Sequence, residues 1–190
     1  MEPGAWEPFS AVVLAGGVAA RLDGVDKGSV ELHGRTLLSW ALDAVIDAGE
    51  VVVVGDPVPT QRPVTFTREN PRHGGPVAAL LTGRDALLEP RSWVAVVACD
   101  MPYLTAHTFQ RLRAAAEGRD GAVLVGPDRR RQLTLVLAVD RLDGVRPTLE
   151  EQHGLPLHRL LAPLDLWEVA AEGREHRDVD TWADVRDLLS

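Results

Sequence analysis

Residues 14–27 run Leu14-Ala15-Gly16-Gly17-Val18-Ala19-Ala20-Arg21-Leu22-Asp23-Gly24-Val25-Asp26-Lys27. The apolar residues 11–14 predict a buried strand in front of this loop, and a segment with helical periodicity begins near Arg35. A turn of small residues at the end of a strand, followed by Arg21 and Lys27, is typical of a phosphate-binding loop. Glycines let backbone N–H groups approach an oxyanion closely, and the two cations neutralise it. The spacing matches neither a Walker A loop nor a dinucleotide-binding fingerprint.

Lys27 stands out in the composition. The chain has 20 lysine and arginine residues, and Lys27 is its only lysine. A chain that uses arginine almost everywhere, yet keeps a lysine inside a glycine-rich loop, favours a role for a compact ammonium charge that a planar guanidinium does not supply. Chance placement of a single lysine is the alternative. Its position makes Lys27, together with Arg21, a candidate for phosphate contact.

The composition excludes several classes of protein. A net charge of −8 and a pI near 5.2 argue against nucleic-acid binding, which needs a basic face. No apolar run approaches the length of roughly 20 residues that a membrane helix needs, and no targeting segment is evident, so we expect a cytoplasmic protein. The single cysteine, Cys99, excludes an internal disulfide and a cysteine-cluster metal site. We expect a loose lead-in at residues 1–8 and one domain over residues 9–190.

Hydrophobic patterning predicts alternating strands and helices. The predicted strands cover residues 11–14, 51–54, 64–67, 93–98, 121–125, 133–139 and 166–170. The predicted helices cover residues 35 to a C-cap at Gly49, 77–88, 106–117, 142–151, 156–161 and 182 onward. The strand at 133–139 is expected to pair with the one before it. Most strands are too apolar to face water, which indicates a single-domain α/β fold with a doubly wound, mostly parallel sheet.

In such sheets ligands bind over the carboxyl ends of the strands. This rule brings a set of loop residues to one edge, namely Gly16, Gly17, Gly55, Gly75 and Asp100. Asp100 directly follows a strand that is apolar throughout, and a carboxylate in that place is suited to hold Mg²⁺ beside phosphate oxygens. The alternative role for Asp100 is to cap the helix that begins near Thr105, although Asp100 lies several residues too early for it.

Four further residues in three segments are candidates for ligand contact. Gly75 and Pro76 open a helix whose N-terminus would attract an anion or a nucleotide group, but a plain helix start explains them nearly as well. Glu69, ahead of them, is a candidate ribose or base acceptor. Asp180 is a candidate second metal contact, whereas an N-cap at Asp180 or Thr181 is the structural alternative.

These residues resemble the nucleotidyltransferase family with an L-A-G-G, R-M-G, D-K loop, and most closely the molybdenum cofactor guanylyltransferases. The resemblance covers nearly the whole chain. It is carried by Leu14-Ala15-Gly16-Gly17, Arg21-Leu22, Gly24 to Gly28, Glu31-Leu32, Gly34, Gly75-Pro76-Val77-Ala78, Cys99 to Leu104 and Asp178-Val179-Asp180-Thr181. The chain departs from the family pattern at Leu22, Asp23, Ala79, Asp178 and Asp180, the last two standing where the family has asparagine.

The resemblance implies a Rossmann-like nucleotidyltransferase fold and binding of GTP by Leu14, Ala15, Gly16, Gly17 and Lys27. Gly55 and Glu69 would approach the base and ribose, and Gly75 and Pro76 would complete the nucleotide site. Asp100, with Asp180, would hold Mg²⁺, and Arg21, Lys27 and Asp100 would be catalytic. The acceptor would be the terminal phosphate of molybdenum-bearing molybdopterin, with a molybdoenzyme or a maturation protein as a possible partner.

Two alternatives stay open at this stage. One is a related Mg²⁺-dependent transferase that uses CTP with a pterin, sugar or isoprenoid phosphate. The other is a non-catalytic nucleotide-binding protein of cofactor maturation. Arg130 and Gln132 are candidates for acceptor contact, but a turn between two strands explains them equally well.

Overall fold

The computed structural model describes residues 9–16, 26–89 and 91–189. Gly17, Arg21 and the lead-in at residues 1–8 therefore lie outside the described residues. The strands are β1 (Ser10–Leu14), β2 (Glu31–Leu32), β3 (Arg35–Thr36), β4 (Glu50–Val54), β5 (Thr65–Thr67), β6 (Trp93–Ala98), β7 (Gly121–Val125), β8 (Arg131–Ala138) and β9 (Leu166–Ala170). The helices are α1 (Leu37–Ala44), α2 (Pro76–Asp85), α3 (Ala106–Ala115), α4 (Val139–Gly144), α5 (Leu149–Gln152), α6 (Leu157–Leu161) and α7 (Trp182–Leu189), and Lys27–Ser29 form a 3₁₀ turn.

Within the described chain, the central sheet has seven strands in the order β5-β4-β1-β6-β8-β7-β9. All its strand pairs are parallel except those that β8 makes with β6 and β7. β8 pairs with the strand before it, as predicted. The predicted α/β fold with a mostly parallel sheet is confirmed. Because β8 runs against its neighbours, its first residues lie at the edge where the other strands end.

Both faces of the sheet are covered, which explains why its inner strands have no polar face. On one face, Ala11 and Val13 of β1 belong to a core with residues of α1 and α3, including Leu38 and Phe109. On the other face, Val12 and Leu14 belong to a core with residues of α2, α4 and α6. The end of β1 is thus packed on both faces, and the chain after Leu14 continues from a buried strand.

A third apolar cluster joins the segment after Lys27 to the end of the chain. Its buried members are Val30, Leu32, Leu37, Val179, Val185 and Leu188, with Tyr103 packed against them. The short β2–β3 hairpin, α1 and α7 all contribute to this cluster. The cluster brings the residues around Val179 next to the 3₁₀ turn that contains Lys27.

The first helix differs from its prediction. Residues Arg35 and Thr36 form β3, and α1 begins at Leu37, where Thr36 Oγ1 accepts a hydrogen bond from Ser39 N at 3.1 Å. The helix also ends at Ala44, before the predicted C-cap at Gly49, and Ile46 is exposed. Beyond the helix, the Val45 and Ala48 carbonyls accept from the Arg62 guanidinium at 3.1 and 3.0 Å, and Gly49 N donates to Phe9 O at 3.0 Å next to the start of β4.

The predicted helical region at 142–151 is divided into α4 and α5. Pro147 lies between them, and proline has no amide hydrogen to continue a helix and restricts the residue before it. Thr148 then starts α5 with a capping box to Glu151. Among the described residues, none of the helices combines the length and apolar character that crossing a membrane requires.

Candidate active site

Lys27 and two aspartates form a charged cluster at the carboxyl edge of the sheet. Lys27 Nζ donates a hydrogen bond of 2.8 Å to Asp100 Oδ2 and one of 2.6 Å to Asp180 Oδ1. The side chains of Lys27 and Asp100 are only 17% and 20% exposed, and that of Asp180 is 47% exposed. Three residues far apart in sequence are thus brought into direct contact, and we call them the Lys27 cluster.

Separate elements position the members of this cluster. Asp100 follows β6, and Cys99 N donates to Leu14 O at 3.0 Å, which ties this loop to the end of β1. Val179 is fully buried, and its N–H donates to Asp100 O at 2.8 Å. This backbone bond holds the segment before α7 against Asp100. The position of Asp180 therefore follows from the burial of its neighbour.

The capping alternatives for both aspartates are resolved by the hydrogen bonds. Thr181 Oγ1 accepts from Asp184 N at 3.2 Å, and Asp184 Oδ2 accepts from Thr181 N at 2.7 Å, so Thr181 caps α7. The cap of α3 is Thr105, which forms a capping box with Thr108. Neither Asp100 nor Asp180 is needed to start a helix, and their carboxylates face Lys27.

Burial and charge act in opposite directions on Lys27. Burial alone lowers the pKa of its ammonium group, but Asp100 and Asp180 outweigh burial and raise the pKa above its ordinary range. Burial also raises the pKa of the Asp178 carboxyl, and repulsion from Asp180 and Asp100 raises it further. Burial, and then Asp100, raise the pKa of the Cys99 thiol, which makes Cys99 a poor nucleophile.

The cluster carries an excess of negative charge. Asp100, Asp180 and the neighbouring Asp178 face one ammonium group, so an anionic ligand would be repelled unless a cation came with it. Within the described residues no group of three or more metal-ligating side chains is assembled. Two carboxylates do suit Mg²⁺, which typically binds to one or two protein carboxylates, keeps several waters and takes its other ligands from phosphates. The donor set therefore fits a magnesium ion that arrives with a phosphorylated substrate.

A cleft of about 390 Å³ opens beside the Lys27 cluster. Its described lining comes from β1, the 3₁₀ turn, the loop before α2, α2 itself, and the ends of β6 and β8. These lining residues are Leu14, Gly16, Lys27, Glu69, His73, Gly75, Pro76, Ala79, Ala98, Cys99, Asp100 and Leu133. Seven of the residues singled out from the sequence are thus brought together, namely Leu14, Gly16, Lys27, Glu69, Gly75, Pro76 and Asp100.

Ala15 and Gly55 are not among the described residues that line this cleft. The N–H groups of Ala15 and Gly16 donate to Val54 O at 2.9 and 2.8 Å, so these two amides are engaged within the protein. A Cβ atom on Gly55 would lie 3.1 Å from the Cβ of Ala15 and 3.2 Å from the nitrogen of Gly16. Gly55 therefore allows Ala15 and Gly16 to lie close to the end of β4.

Glu69 has a structural contact of its own. Its Oε1 accepts from His73 N at 2.7 Å, which closes the loop ahead of α2. The half-buried Glu69 still lines the cleft. A contact with ribose or base is compatible with this position.

The sequence did not single out every lining residue. His73 and Ala79 come from the loop before α2 and from its first turn, and their neighbours Gly75 and Pro76 were the available signal. Leu133 comes from β8 and reaches the cleft because that strand runs antiparallel to β6. Leu133 is distant in sequence from the other residues of the cleft. Its place in the lining therefore follows only from the order of the strands.

Gly75 is required by its backbone conformation. It precedes α2 with φ +87° and ψ −173°, a region that is essentially restricted to glycine. We expect Gly75→Ala to lower the free energy of unfolding by about 1–3 kcal/mol, even though the added Cβ meets open space. Urea unfolding measures this change. Gly144→Ala, which also meets open space but has no positive φ, is the matched control and should be neutral or slightly stabilising.

Asp178 is expected to reduce the stability of the protein at neutral pH in the absence of divalent cations. Its pKa is raised above the ordinary value of 3.8, so the folded chain holds this proton more tightly than the unfolded chain. The resulting cost is absent below pH 3.8 and grows as the pH rises through the raised pKa. Asp178→Asn should therefore increase the free energy of unfolding at pH 7 by about 0.5 kcal/mol, a modest gain because solvent screens the partly exposed carboxylate.

Thermal unfolding of wild type and Asp178→Asn in EDTA, at pH 7 and at pH 3.5, measures this effect. The difference should shrink at the lower pH, where Asp178 is mostly protonated in both the folded and unfolded states. A lower midpoint for the variant at pH 7 would contradict the charge repulsion inferred for this cluster.

Comparison with known proteins shows the family of the chain. The family model described as MobA-like NTP transferase domain matches residues 11–174. The chain is 30% identical over 134 residues to the molybdenum cofactor guanylyltransferase of Shewanella loihica, a match that covers 68% of this chain and 67% of the relative.

Solved structures share the fold over almost the full chain. Molybdopterin-guanine dinucleotide biosynthesis protein A from Archaeoglobus fulgidus has a TM-score of 0.71 at 20% identity, covering 95% of this chain and 96% of that one. The 2-C-methyl-D-erythritol 4-phosphate cytidylyltransferase of Thermus thermophilus has a TM-score of 0.75 at 19% identity, covering 96% and 97%. Rv0371c from Mycobacterium tuberculosis, solved as a complex with manganese, has a TM-score of 0.67 at 19% identity, covering 96% and 98%. At these identities the likeness shows the fold.

Proposed function

Because the chain belongs to the family of MobA-like NTP transferase domains, we propose that it transfers GMP from GTP to the terminal phosphate of molybdenum-bearing molybdopterin. An oxygen of the acceptor phosphate attacks the α-phosphorus of GTP, and the bond from that phosphorus to the β-phosphate oxygen breaks. The products are pyrophosphate and a guanine dinucleotide form of the cofactor. The relatives named as guanylyltransferases support guanine over the other bases.

The observation that carries this proposal is the Lys27 cluster at the wall of the cleft. Among the described lining residues, Lys27 is the only lysine or arginine, and it lies within 2.8 Å of an Asp100 oxygen. A triphosphate bound in the cleft would meet the ammonium group of Lys27 and the N-terminus of α2 beside Gly75. Both attract negative charge, and the N-terminal end of a helix adds a partial positive charge.

Asp100 and Asp180 are the residues that would hold Mg²⁺. When bound, this ion would supply positive charge to the phosphates, which offsets the negative excess of the cluster. Lys27 and Arg21 would neutralise the charge that develops on the phosphate oxygens and the leaving pyrophosphate. Glu69, which borders the cleft, would approach the ribose or base. Gly55 does not line the cleft, so it would act through Ala15 and Gly16, which it allows to lie close to the end of β4.

The protein has little covalent chemistry to perform in this reaction. The attacking phosphate is already anionic, so no general base is needed, and catalysis consists of positioning and charge stabilisation. The residues that line the cleft agree with a reaction that needs no protein nucleophile. The described lining contains charged side chains and backbone groups, but no activated serine or cysteine. Cys99 is buried with a raised thiol pKa.

A thermal-shift panel with GTP, CTP, ATP and UTP, each with and without Mg²⁺, tests the nucleotide assignment. A nucleotide at one hundred times its dissociation constant stabilises the folded state by about 2.7 kcal/mol. For a chain of this size that corresponds to an increase of about 5–10 °C in the midpoint. GTP with Mg²⁺ should give the largest increase. A larger increase with CTP would replace the proposal with cytidylyl transfer.

A second measurement separates an enzyme from a non-catalytic maturation protein. Pyrophosphate release is followed with GTP and Mg²⁺, with and without molybdopterin. Release that depends on molybdopterin supports the proposed transferase. Tight GTP binding without any such release would favour a nucleotide-binding role in cofactor maturation.

A further inference from the structure

The ammonium group of Lys27 has partners within the protein itself. It carries three N–H donors, and two of them point to carboxylates, with distances of 2.8 Å to Asp100 Oδ2 and 2.6 Å to Asp180 Oδ1. The Lys27 side chain is only 17% exposed, so solvent screens these contacts less than it would at the surface. A phosphate oxygen that approaches Lys27 must therefore compete with two carboxylates.

This competition is unfavourable for a metal-free phosphate. A hydrogen bond between two charged groups is about twice as strong as one between neutral groups. Asp100 and Asp180 together raise the pKa of Lys27 above its ordinary range in spite of burial, so the ammonium group is strongly favoured by its partners. A phosphate that displaced one carboxylate would replace one anion by another and would be repelled by the carboxylate left beside it.

The contact between Lys27 and Asp180 is held in place by the backbone. Val179 is fully buried, and its N–H donates to Asp100 O at 2.8 Å. Asp180 N donates in turn to Asp184 Oδ2 at 3.0 Å. The chain is thus fixed on both sides of the Asp180 side chain, and the ion pair does not depend on a chance encounter of two surface groups.

The two carboxylates are placed differently with respect to the cleft. Asp100 lines it, whereas Asp180 is not among the described residues of its lining. Asp180 is also the more exposed of the two, at 47% against 20%, so a cation from solvent reaches its carboxylate more easily. Asp180 therefore holds the lysine of the cleft without belonging to the wall of the cleft.

A divalent cation changes the availability of Lys27. A carboxylate that binds Mg²⁺ is a poorer acceptor for an ammonium group, because its charge is neutralised by the ion. Lys27 then has donors free for phosphate oxygens. A metal–nucleotide complex brings the cation and the phosphates together, whereas a metal-free nucleotide brings only negative charge.

We propose that Asp180 makes the site selective for metal-bound nucleotide, because its ion pair withholds Lys27 from a metal-free triphosphate. This inference rests on the proposed function in one respect, that a nucleoside triphosphate binds at Lys27. It depends neither on the base nor on the acceptor. It gives Asp180 a role in the absence of metal, in addition to the role of metal ligand.

The test is calorimetric titration of the full-length protein with GTP, once in EDTA and once in excess Mg²⁺. Asp180→Asn keeps the shape of the side chain and removes its charge. In EDTA the variant should bind GTP about tenfold more tightly than wild type, as expected when a charged partner of Lys27 is replaced by a neutral one. In Mg²⁺ its affinity should be equal to that of wild type or weaker. Asp180→Ala should show the same direction of change in EDTA, which provides a second variant.

Asp178→Asn is the matched control. Asp178 lies two residues before Asp180 and repels the carboxylates of Asp180 and Asp100, but within the described chain it forms no ion pair with Lys27. The control variant removes the same charge from the same segment and should strengthen GTP binding in EDTA by less than about threefold. Equal gains in Asp178→Asn and Asp180→Asn would show that total charge matters and the ion pair does not, which overturns the inference.

The remaining outcomes separate this inference from the proposed function. If wild type binds GTP as tightly in EDTA as in Mg²⁺, or if neither Asp180 variant gains affinity in EDTA, the role of Asp180 is overturned, and molybdopterin-dependent release of pyrophosphate still supports the reaction. If the expected pattern is found with CTP and not with GTP, the role of Asp180 stands and guanylyl transfer is overturned. Absence of binding of any nucleotide to wild type in Mg²⁺ overturns both.

Discussion

Lys27→Ala is expected to lower the rate of nucleotidyl transfer by about a thousandfold, the size of effect seen when a preorganised charge is removed from a phosphoryl-transfer site. The variant loses the only lysine or arginine among the described residues that line the cleft. It also leaves Asp100 and Asp180 without the ammonium group that lies 2.8 and 2.6 Å from them. Single-turnover measurement of pyrophosphate release from GTP, with molybdopterin and Mg²⁺, gives the rate.

The stability of Lys27→Ala shows whether its lower transfer rate comes from the missing ammonium group or from unfolding of the protein. Unpaired carboxylates should cost about 1–2 kcal/mol in the absence of divalent cations, well below the stability of a typical domain. Circular dichroism should therefore show a folded protein at 25 °C.

Lys27→Arg is the matched control for charge. It keeps the positive charge near both carboxylates, so its stability should be close to that of wild type. We expect its turnover to stay at least about a hundredfold low, because a planar guanidinium cannot replace a compact ammonium group among phosphate oxygens. Wild-type turnover in Lys27→Ala would contradict the role given to Lys27.

Asp100→Asn is expected to lower turnover by about a hundredfold to a thousandfold, because it removes a charge while keeping the shape of the side chain. The backbone carbonyl of Asp100 still accepts the hydrogen bond from Val179 N, so the segment before α7 should keep its place. Lys27 keeps Asp180 as a partner. The Mg²⁺-dependent part of the GTP thermal shift should be lost in this variant.

Asp43→Asn provides the comparison for Asp100→Asn. Asp43 pairs with Arg35 on the exposed side of α1, and its side chain is 58% exposed. Its removal should change turnover by less than about twofold, as is usual for an exposed ion pair. If Asp100→Asn kept the Mg²⁺-dependent shift and full turnover, a metal-binding role for Asp100 would be wrong.

The sequence was sufficient to predict the architecture because each local signal agreed with the others. The continuous valine run of β4 and the apolar runs of β1 and β6 indicate strands covered on both faces, and these strands lie together at the centre of the sheet. The rule that ligands bind at the carboxyl ends of parallel strands then placed Asp100 and Gly75 beside Lys27. The shared lining of one cleft agrees with that expectation.

Features that depend on tertiary packing were not available from the sequence. α1 ends at Ala44, and the carbonyls that follow are bound by Arg62, a residue outside the helix that its periodicity does not reveal. The contact of Asp180 with Lys27 depends on burial of Val179 in the cluster that joins β2 to α7. Neither the approach of residues 153 positions apart nor the insertion of β8 between β6 and β7 leaves a local pattern.

Arg130 and Gln132 were candidates for acceptor contact from the sequence, with a turn between two strands as the alternative. The structure adds that they line one cleft with His176 and Asp178. This shared lining depends on the packing of the segment before α7 against α3 through Glu175, which no local pattern reveals.

The most direct test of the proposed reaction is mass spectrometry of the products formed by the purified full-length protein from GTP, Mg²⁺ and molybdenum-bearing molybdopterin. We expect one guanine dinucleotide cofactor and one pyrophosphate for each GTP consumed, with no product in Lys27→Ala over the same time. Consumption of CTP in place of GTP, or no dinucleotide from either nucleotide, would contradict guanylyl transfer as the activity of this protein.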